Sequence, residues 1–363
     1  MGEGYGGGAR YRKIRLSPPS QPSPVKGEGE YCLRRDQLNV DMHAHFVPEA
    51  LLEDLAARRH AFPSVSATGE PKALRIAFGS QEPKRPMPGA MSDVERRRRR
   101  LSEQGIEKQV VAGWLDIFGY DLPPDEGADW SRFVNEHMLK GVAPLTAFVP
   151  LATVPLQSGK LAARVLDEAL KTGFHGAMIG SQPKGIGGVL DDPDLDPFWE
   201  MASERRATII VHPTFGAHDV RLKAYGLMNS VGRITDTTIA ISRLLLSGHL
   251  QRYPGVKLVI AHGGGALPMV LGRLKNSYAN DPAGNADPAE GFSRLYFDTV
   301  VYDAQTLRFL CDMAGPAKLM MGTDQPFPNA EAKPRELIQC CGAHAGDVAA
   351  MLGGTAAALF GVS

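Results

Sequence analysis

From residue 38 onward, short runs rich in Val, Ile, Leu and Phe alternate with longer stretches whose apolar residues recur with a helical period. Eight of the short runs read as strands: "LNVDMHA" (38–44), "KQVVAGW" (108–114), "LTAFVPL" (145–151), "HGAMIGS" (175–181), "ATIIVHP" (207–213), "VKLVIAH" (256–262), "RLYFDTV" (294–300) and "AKLMMGT" (317–323). Helix candidates lie between them. In "SDVERRRRRLSEQG" (92–105), Ser92 can cap the helix with Glu95 three residues on, and "SGKLAARVLDEALKTG" (158–173) closes on a glycine. Eight strands each followed by a helix predict an α/β fold, a (β/α)8 TIM barrel. The connection after the first strand is long, and residues 61–90 are rich in Pro and Gly. In a barrel such an excursion usually covers the mouth, so a lid-like insertion is expected there.

Composition narrows the class of protein. With 363 residues, 43% hydrophobic and 22% charged, the chain can bury a large core, and 37–363 reads as one soluble barrel domain. Forty basic residues balance forty acidic ones, which argues against nucleic acid or an anionic membrane as the main partner and favours a small molecule. The run "ERRRRR" (95–100) distributes its arginines around a helix, so a solvated helix is expected. No apolar stretch reaches the roughly 20 residues of a membrane helix. Cys32, Cys311, Cys340 and Cys341 lack CxxC spacing, pointing to a reduced, cytoplasmic compartment. Residues 1–36, rich in Gly, Pro, Ser and basic side chains, are expected to form a disordered N-terminal extension without a role in the chemistry.

In a barrel, reactive groups come from the C-terminal ends of several strands, where side chains turn toward a common mouth. The first candidate strand ends in "HAH", with His43 and His45 on one face because side chains alternate along a strand. The fifth ends at His212 of "IIVHPTF", the sixth at His262 of "LVIAHGGG", and the eighth reaches Asp324 of "LMMGTDQPFP". Four of the ten histidines therefore occupy three strand ends. A lone pair of such histidines is as readily structural as functional. Together with the later strand ends, His43, His45, His212 and Asp324 make a mixed N/O set suited to Zn2+ or a similar divalent ion.

This arrangement resembles the amidohydrolase superfamily and, within it, the amidohydrolase-2 branch that includes 2-amino-3-carboxymuconate-6-semialdehyde decarboxylase and the γ-resorcylate and 5-carboxyvanillate decarboxylases. "NVDMHAHFVPEALL", "AHGGGALPMVLGRL", "MGTDQPFP" and "TAAALFG" carry the resemblance over about 38–362. It implies one Zn2+ on His43, His45, His212 and Asp324, although Mn2+ or another divalent ion would suit the same donors. It also implies His262 as acid/base, and Arg273 of "VLGRL" reaching the substrate carboxylate in the neighbouring site of a homodimer. Binuclear members carry a lysine at the end of strand four, whereas "FHGAMIGSQ" has none before Lys184, which favours a single metal.

The expected reaction is non-oxidative decarboxylation of a small aromatic or muconate-like acid, with His262 moving the proton and Asp324 sharing in its delivery. Hydrolysis or hydration by a mononuclear site is the alternative, and a barrel that only binds a ligand is a third reading. Asp298, ending the seventh strand, is expected to orient a ligand or pack structurally. Trp114, Phe118 and Tyr120 follow the second strand and offer either an apolar wall for the substrate or core packing. His137, His175 and His249 lie away from the mouth and are assigned no chemistry. Gln325 stands where the branch often has an aromatic residue, and "HPTFGAHD" lacks the tryptophan found near the His-Pro of the muconate enzyme, which leaves the substrate open.

Overall fold

A computed structural model of the chain describes residues 38–58, 61–80, 86–214 and 216–363. The expectation about residues 1–36 lies outside the described residues, as does Cys32. Among the described residues there are ten strands: β1 (Val40–His45), β2 (Val65–Thr68), β3 (Arg75–Phe78), β4 (Lys108–Ala112), β5 (Phe148–Pro150), β6 (Ala177–Gly180), β7 (Thr208–His212), β8 (Lys257–Ile260), β9 (Tyr296–Asp298) and β10 (Leu319–Met320). β1, β4 and β5 form one parallel sheet and β6 to β10 another. Bridges Ala44 to Gln325 and Ala152 to Ala177 join the two sheets at both seams. Ladder bonds from Met42 N to Met321 O (2.8 Å) and Met178 N to Ala152 O (3.0 Å) run along those seams. The result is the closed eight-stranded TIM barrel expected from the sequence.

Each barrel strand lies at its expected place but is shorter than the apolar run that announced it. The last shows why. After Met320 the chain leaves β9: Met321 N bonds to Met351 O, and Thr323 and Asp324 turn to the carbonyl of His43 across the seam. The apolar run continues because the residues remain buried, while the ladder partner changes.

The helices follow their local signals with one correction. Gly159–Thr172 is capped by Ser158 and ends on Gly173 in the left-handed region. The arginine-rich helix Val94–Gln104 is capped by Asp93, whose carboxylate accepts from Arg96 N, and not by Ser92. Ser92 Oγ instead donates to Val47 O at 2.6 Å, tying the helix start to the end of the first strand. The helix is solvated except at Leu101, which joins the core, and at Arg97, which is buried, donates to Gln109 Oε1 (2.9 Å) and to the carbonyl of His45, and sits over the rings of Phe46 and Phe148.

The insertion after β1 folds as an antiparallel hairpin of β2 and β3. Its inward residues Val65, Ala67, Ile76 and Phe78 join a second apolar cluster with Leu51, Leu55 and Trp130. The hairpin therefore extends the core over the helices Glu49–Ala57 and Pro124–Val142.

Candidate metal centre

β1 delivers His43 and His45 fully buried to the mouth of the barrel, β7 delivers His212 from its last residue, and His262 and Asp324 follow β8 and β10. The imidazole centroids of His43 and His45 lie 5.3 Å apart, and each is 5.1 Å from that of His212. Asp324 reaches all three neighbours around it: its Oδ1 lies 3.4 Å from His43 Nε2 and 3.2 Å from His45 Nε2, and its Oδ2 lies 3.5 Å from His262 Nε2. Both His262 and Asp324 adopt left-handed backbone conformations, φ +56° and +62°. Each such conformation costs a non-glycine residue about 1–3 kcal/mol and is tolerated where the surroundings enforce it.

The glycines after His262 explain that turn. A Cβ on Gly263 would come 2.5 Å from Val301 Cγ1, and one on Gly264 would come 2.7 Å from the Phe297 ring, so only glycine lets the chain pass. Asp298 fastens the same turn. Its Oδ2 faces His43 Nδ1 at 2.6 Å and accepts from His262 N at 2.9 Å, while Oδ1 accepts from Gly263 N and Val300 N. The carboxylate thus fixes the His43 ring with Nε2 pointing inward, the role of the partner that commonly stands behind a metal-bound imidazole. His45 Nδ1 and His212 Nδ1 are set in the same sense by the carbonyls of Gly113 (3.2 Å) and Pro213 (3.0 Å).

What these bonds leave over is the decisive feature. Nε2 of His43, His45 and His212 and Oδ1 of Asp324 are all buried and have no hydrogen-bond partner. A buried polar atom left unpaired costs about 1–3 kcal/mol, and four converging ones ask for a common cation. One ligand atom each from His43, His212, His262 and Asp324 lie within 4.8 Å of one another, with His45 adjoining through Asp324. The residues fit a single divalent ion, and His262 stands as close to the others as a ligand would.

Electrostatics agrees with this geometry. Burial disfavours charge on His43, but the bond to Asp298 and the nearby Asp324 outweigh it and raise its pKa to about 9. Burial lowers His45, and burial together with the neighbouring imidazoles pushes His212 well below the ordinary histidine range. Burial opposes ionisation of Asp324, yet the flanking His262 and His45 hold its carboxyl well below the usual carboxylate range.

His212, His262 and Asp324 of this cluster line a cavity of about 960 Å³, with His43 and His45 buried behind them. Trp114, Met228, Val300, Val301 and Phe327 supply apolar wall, with Arg233, Tyr302 and Asn329 among the polar lining. None of the described lining residues comes from 61–90; those that border the opening belong to the segment 226–234 and to the loops after β9 and β10. Trp114 takes the wall position anticipated for it. Phe118 and Tyr120 are core residues, Tyr120 with its hydroxyl accepting from Gly180 N at 3.0 Å. Arg273 is exposed on the helix Leu267–Asn280 and is not among the lining residues of its own chain.

The profile of the amidohydrolase family matches residues 40–362. The chain belongs to the amidohydrolase family. Among curated members, this amidohydrolase is 30% identical over 254 residues to 2-amino-3-carboxymuconate-6-semialdehyde decarboxylase of Dictyostelium discoideum, covering 68% of this chain and 70% of that one. It is 26% identical over 257 residues to γ-resorcylate decarboxylase of a Polaromonas species, covering 66% and 79%. Among solved structures, 5-carboxyvanillate decarboxylase from Sphingomonas paucimobilis superposes with a TM-score of 0.75 at 23% identity over 90% of this chain and 100% of that one. The dihydroxybenzoic acid decarboxylase of a Polaromonas species, solved with manganese and the inhibitor 2-nitroresorcinol, gives 0.72 at 21% identity over 90% and 97%. These likenesses establish the barrel of the amidohydrolase independently of its own strand pairing.

Several residues of the amidohydrolase site escape a reading of strand ends. Asp41 is buried, accepts from Thr323 Oγ1 (2.6 Å), Thr323 N (3.0 Å) and Gln109 Nε2 (2.7 Å), and so ties β1 to the loop that carries Asp324. Its place two residues before His43, on the same face, was the available signal. Gln325, set against the aromatic of other members, points away from the cavity to Gln104 Oε1 (2.7 Å), while Phe327 presents the aromatic face, 5.2 Å from the His45 ring. His137, His175 and His249 are held by Phe133 O, Phe360 O and Ser247 respectively, and none of the three is among the described lining residues of the cavity.

Proposed function

We propose that the chain is a metal-dependent carboxy-lyase that removes CO₂ from a small aromatic or muconate-like carboxylic acid, using one divalent ion held by His43, His45, His212 and Asp324. The observation that carries this reading is the convergence of three unpartnered imidazole nitrogens and one carboxylate oxygen, all buried, where His212 and Asp324 meet a largely apolar cavity. Relatives named as decarboxylases of aromatic and muconate-type acids support the reaction class over hydrolysis. The mainly nitrogen donor set favours Zn2+, and the manganese of the Polaromonas structure makes Mn2+ the next choice.

When bound, the ion would polarise a substrate oxygen and stabilise the negative charge that develops as CO₂ departs. His262, which lines the cavity, carries the proton to the carbon that loses CO₂. Asp324 Oδ2, 3.5 Å from His262 Nε2, holds that ring in line and shares in the proton's delivery. Asp298 keeps His43 Nε2 pointing inward, and Trp114 with Phe327 excludes bulk water from the reacting face. In a homodimer, exposed Arg273 would complete the neighbouring cavity. The free thiols of Cys311, Cys340 and Cys341 suit a reducing, cytoplasmic setting.

Metal analysis combined with a screen of aromatic and muconate carboxylates tests this. Release of CO₂ by the metal-loaded protein is the expected result. Incorporation of solvent oxygen without CO₂ would replace it with a hydrolase or hydratase.

A further inference from the structure

Arg233 begins the helix Arg233–Leu246 beside the metal cluster. Its Nη1 donates to the carbonyls of Pro213 and Thr214, at 3.1 Å each. The Pro213 carbonyl is also the one that orients Nδ1 of His212, so a single oxygen links this guanidinium to a proposed metal ligand. Arg233 also lines the cavity, where it is the only lysine or arginine among the described lining residues.

We infer that Arg233 is this chain's own substrate-binding cation, and that it grips an anionic group which the reaction leaves in place. A guanidinium paired with the departing carboxylate would stabilise the charged ground state more than the transition state leading to neutral CO₂, and so would slow the reaction. Paired with a second anionic substituent, it holds equally through the reaction and fixes the orientation of the ring. The bonds to the Pro213 and Thr214 carbonyls hold it ready for that contact. This rests on the decarboxylase reading and specifies its substrate class: an aromatic or unsaturated acid bearing a second carboxylate.

The test compares wild type, Arg233→Lys and Arg233→Gln, each loaded with Zn2+ or Mn2+, with metal content and thermal midpoint measured first. Salicylate and hydroxyisophthalate, one ring with one or two carboxylates, serve as substrates for CO₂ release and as ligands in calorimetry. Wild type favours the diacid. Arg233→Gln is expected to raise the diacid-to-monoacid ratio of KM and of Kd roughly ten- to a hundredfold, the scale of a lost charged hydrogen bond. Arg233→Lys, which keeps the charge without the fork, falls between. A role confined to holding the loop would shift both acids together or cost metal, and that result overturns the inference. If wild type releases no CO₂ while Arg233→Gln still loses diacid binding, only the decarboxylase reading fails. If wild type releases CO₂ and the ratio of the two acids is unchanged in Arg233→Gln, only this inference fails.

Discussion

Replacing Asp298 by asparagine changes one oxygen to NH₂ and leaves the volume almost unaltered, so its consequences come from hydrogen-bond polarity alone. In the folded protein Oδ2 serves His43 Nδ1 and His262 N, and Oδ1 serves Gly263 N and Val300 N. An amide can offer an acceptor to only one of those pairs. If its oxygen faces His43, the NH₂ meets the donors of Gly263 and Val300, leaving two buried N–H groups unsatisfied at about 1–3 kcal/mol each. If its oxygen faces Gly263, the NH₂ turns His43 Nδ1 into an acceptor and moves the ring proton to Nε2, the atom needed for metal. Either arrangement weakens the site. We expect a loss of about 2–6 kcal/mol in stability, or a fall in metal affinity of about 10–100-fold, the usual effect of losing a partner behind a ligand. Urea unfolding of the chelated protein measures the first, and competition with a chromophoric chelator for Zn2+ the second. An Asp298→Asn variant with the wild-type midpoint and unaltered metal affinity would refute the role given to Asp298.

Three further substitutions probe other levels of the structure. His262→Ala is expected to keep its metal and lose at least about a hundredfold in turnover, whereas His212→Ala loses both; loss of metal from the first would make His262 a ligand instead. Gly264→Ala forces a Cβ to within 2.7 Å of the Phe297 ring at φ +80°, so urea unfolding should show about 1–3 kcal/mol less stability, and a change under about 0.5 kcal/mol would contradict the packing given for the turn. Burial and the adjacent Arg252 lower the His249 pKa from its ordinary 6.5 to about 4. The folded protein therefore resists protonating it: the stability it contributes is complete above pH 6.5 and is lost as pH falls toward 4, at no more than about 1.4 kcal/mol per pH unit. His249→Asn should flatten that part of the acid limb, and an unchanged slope would show that other groups set it.

Most of the barrel is legible in the sequence because a strand buried on both sides writes its burial as an unbroken apolar run, and eight such runs leave few alternatives. The ends of those runs are not legible. Met321 stays as buried as Met320 while exchanging its partner from β9 to Met351, and periodicity records burial, not partners. The same limit applies to the site. His43, His45, His212, His262 and Asp324 announce themselves because each combines a polar type with a strand end. Arg97 reads as one solvated arginine among five, since nothing local distinguishes the position that turns inward to the His45 carbonyl. Arg233 escapes notice for a related reason: its importance comes from the loop after β7, twenty residues earlier in the chain. Residues 61–90 suggest a lid by length and composition, whereas the alternating Val65, Ala67, Ile76 and Phe78 give the hairpin a place in the core.

The electrostatics of the buried groups suits the donor states that a divalent ion needs. Asp298 and Asp324 are held ionised despite burial, and Asp41, although burial raises its pKa to about 6, is still mostly ionised at neutral pH. Arg97, whose pKa burial lowers only to about 10, remains charged and close enough to feel Asp41. Burial holds His45 and His212 toward the neutral form in which an imidazole can ligate. His43 keeps a proton in the metal-free site because Asp298 and Asp324 face it, so an ion bound there displaces that proton. Ionised carboxylates and neutral imidazoles in a dry setting are what a divalent cation requires of its donors, and the electrostatics thus supports the proposed metal by a route separate from the geometry.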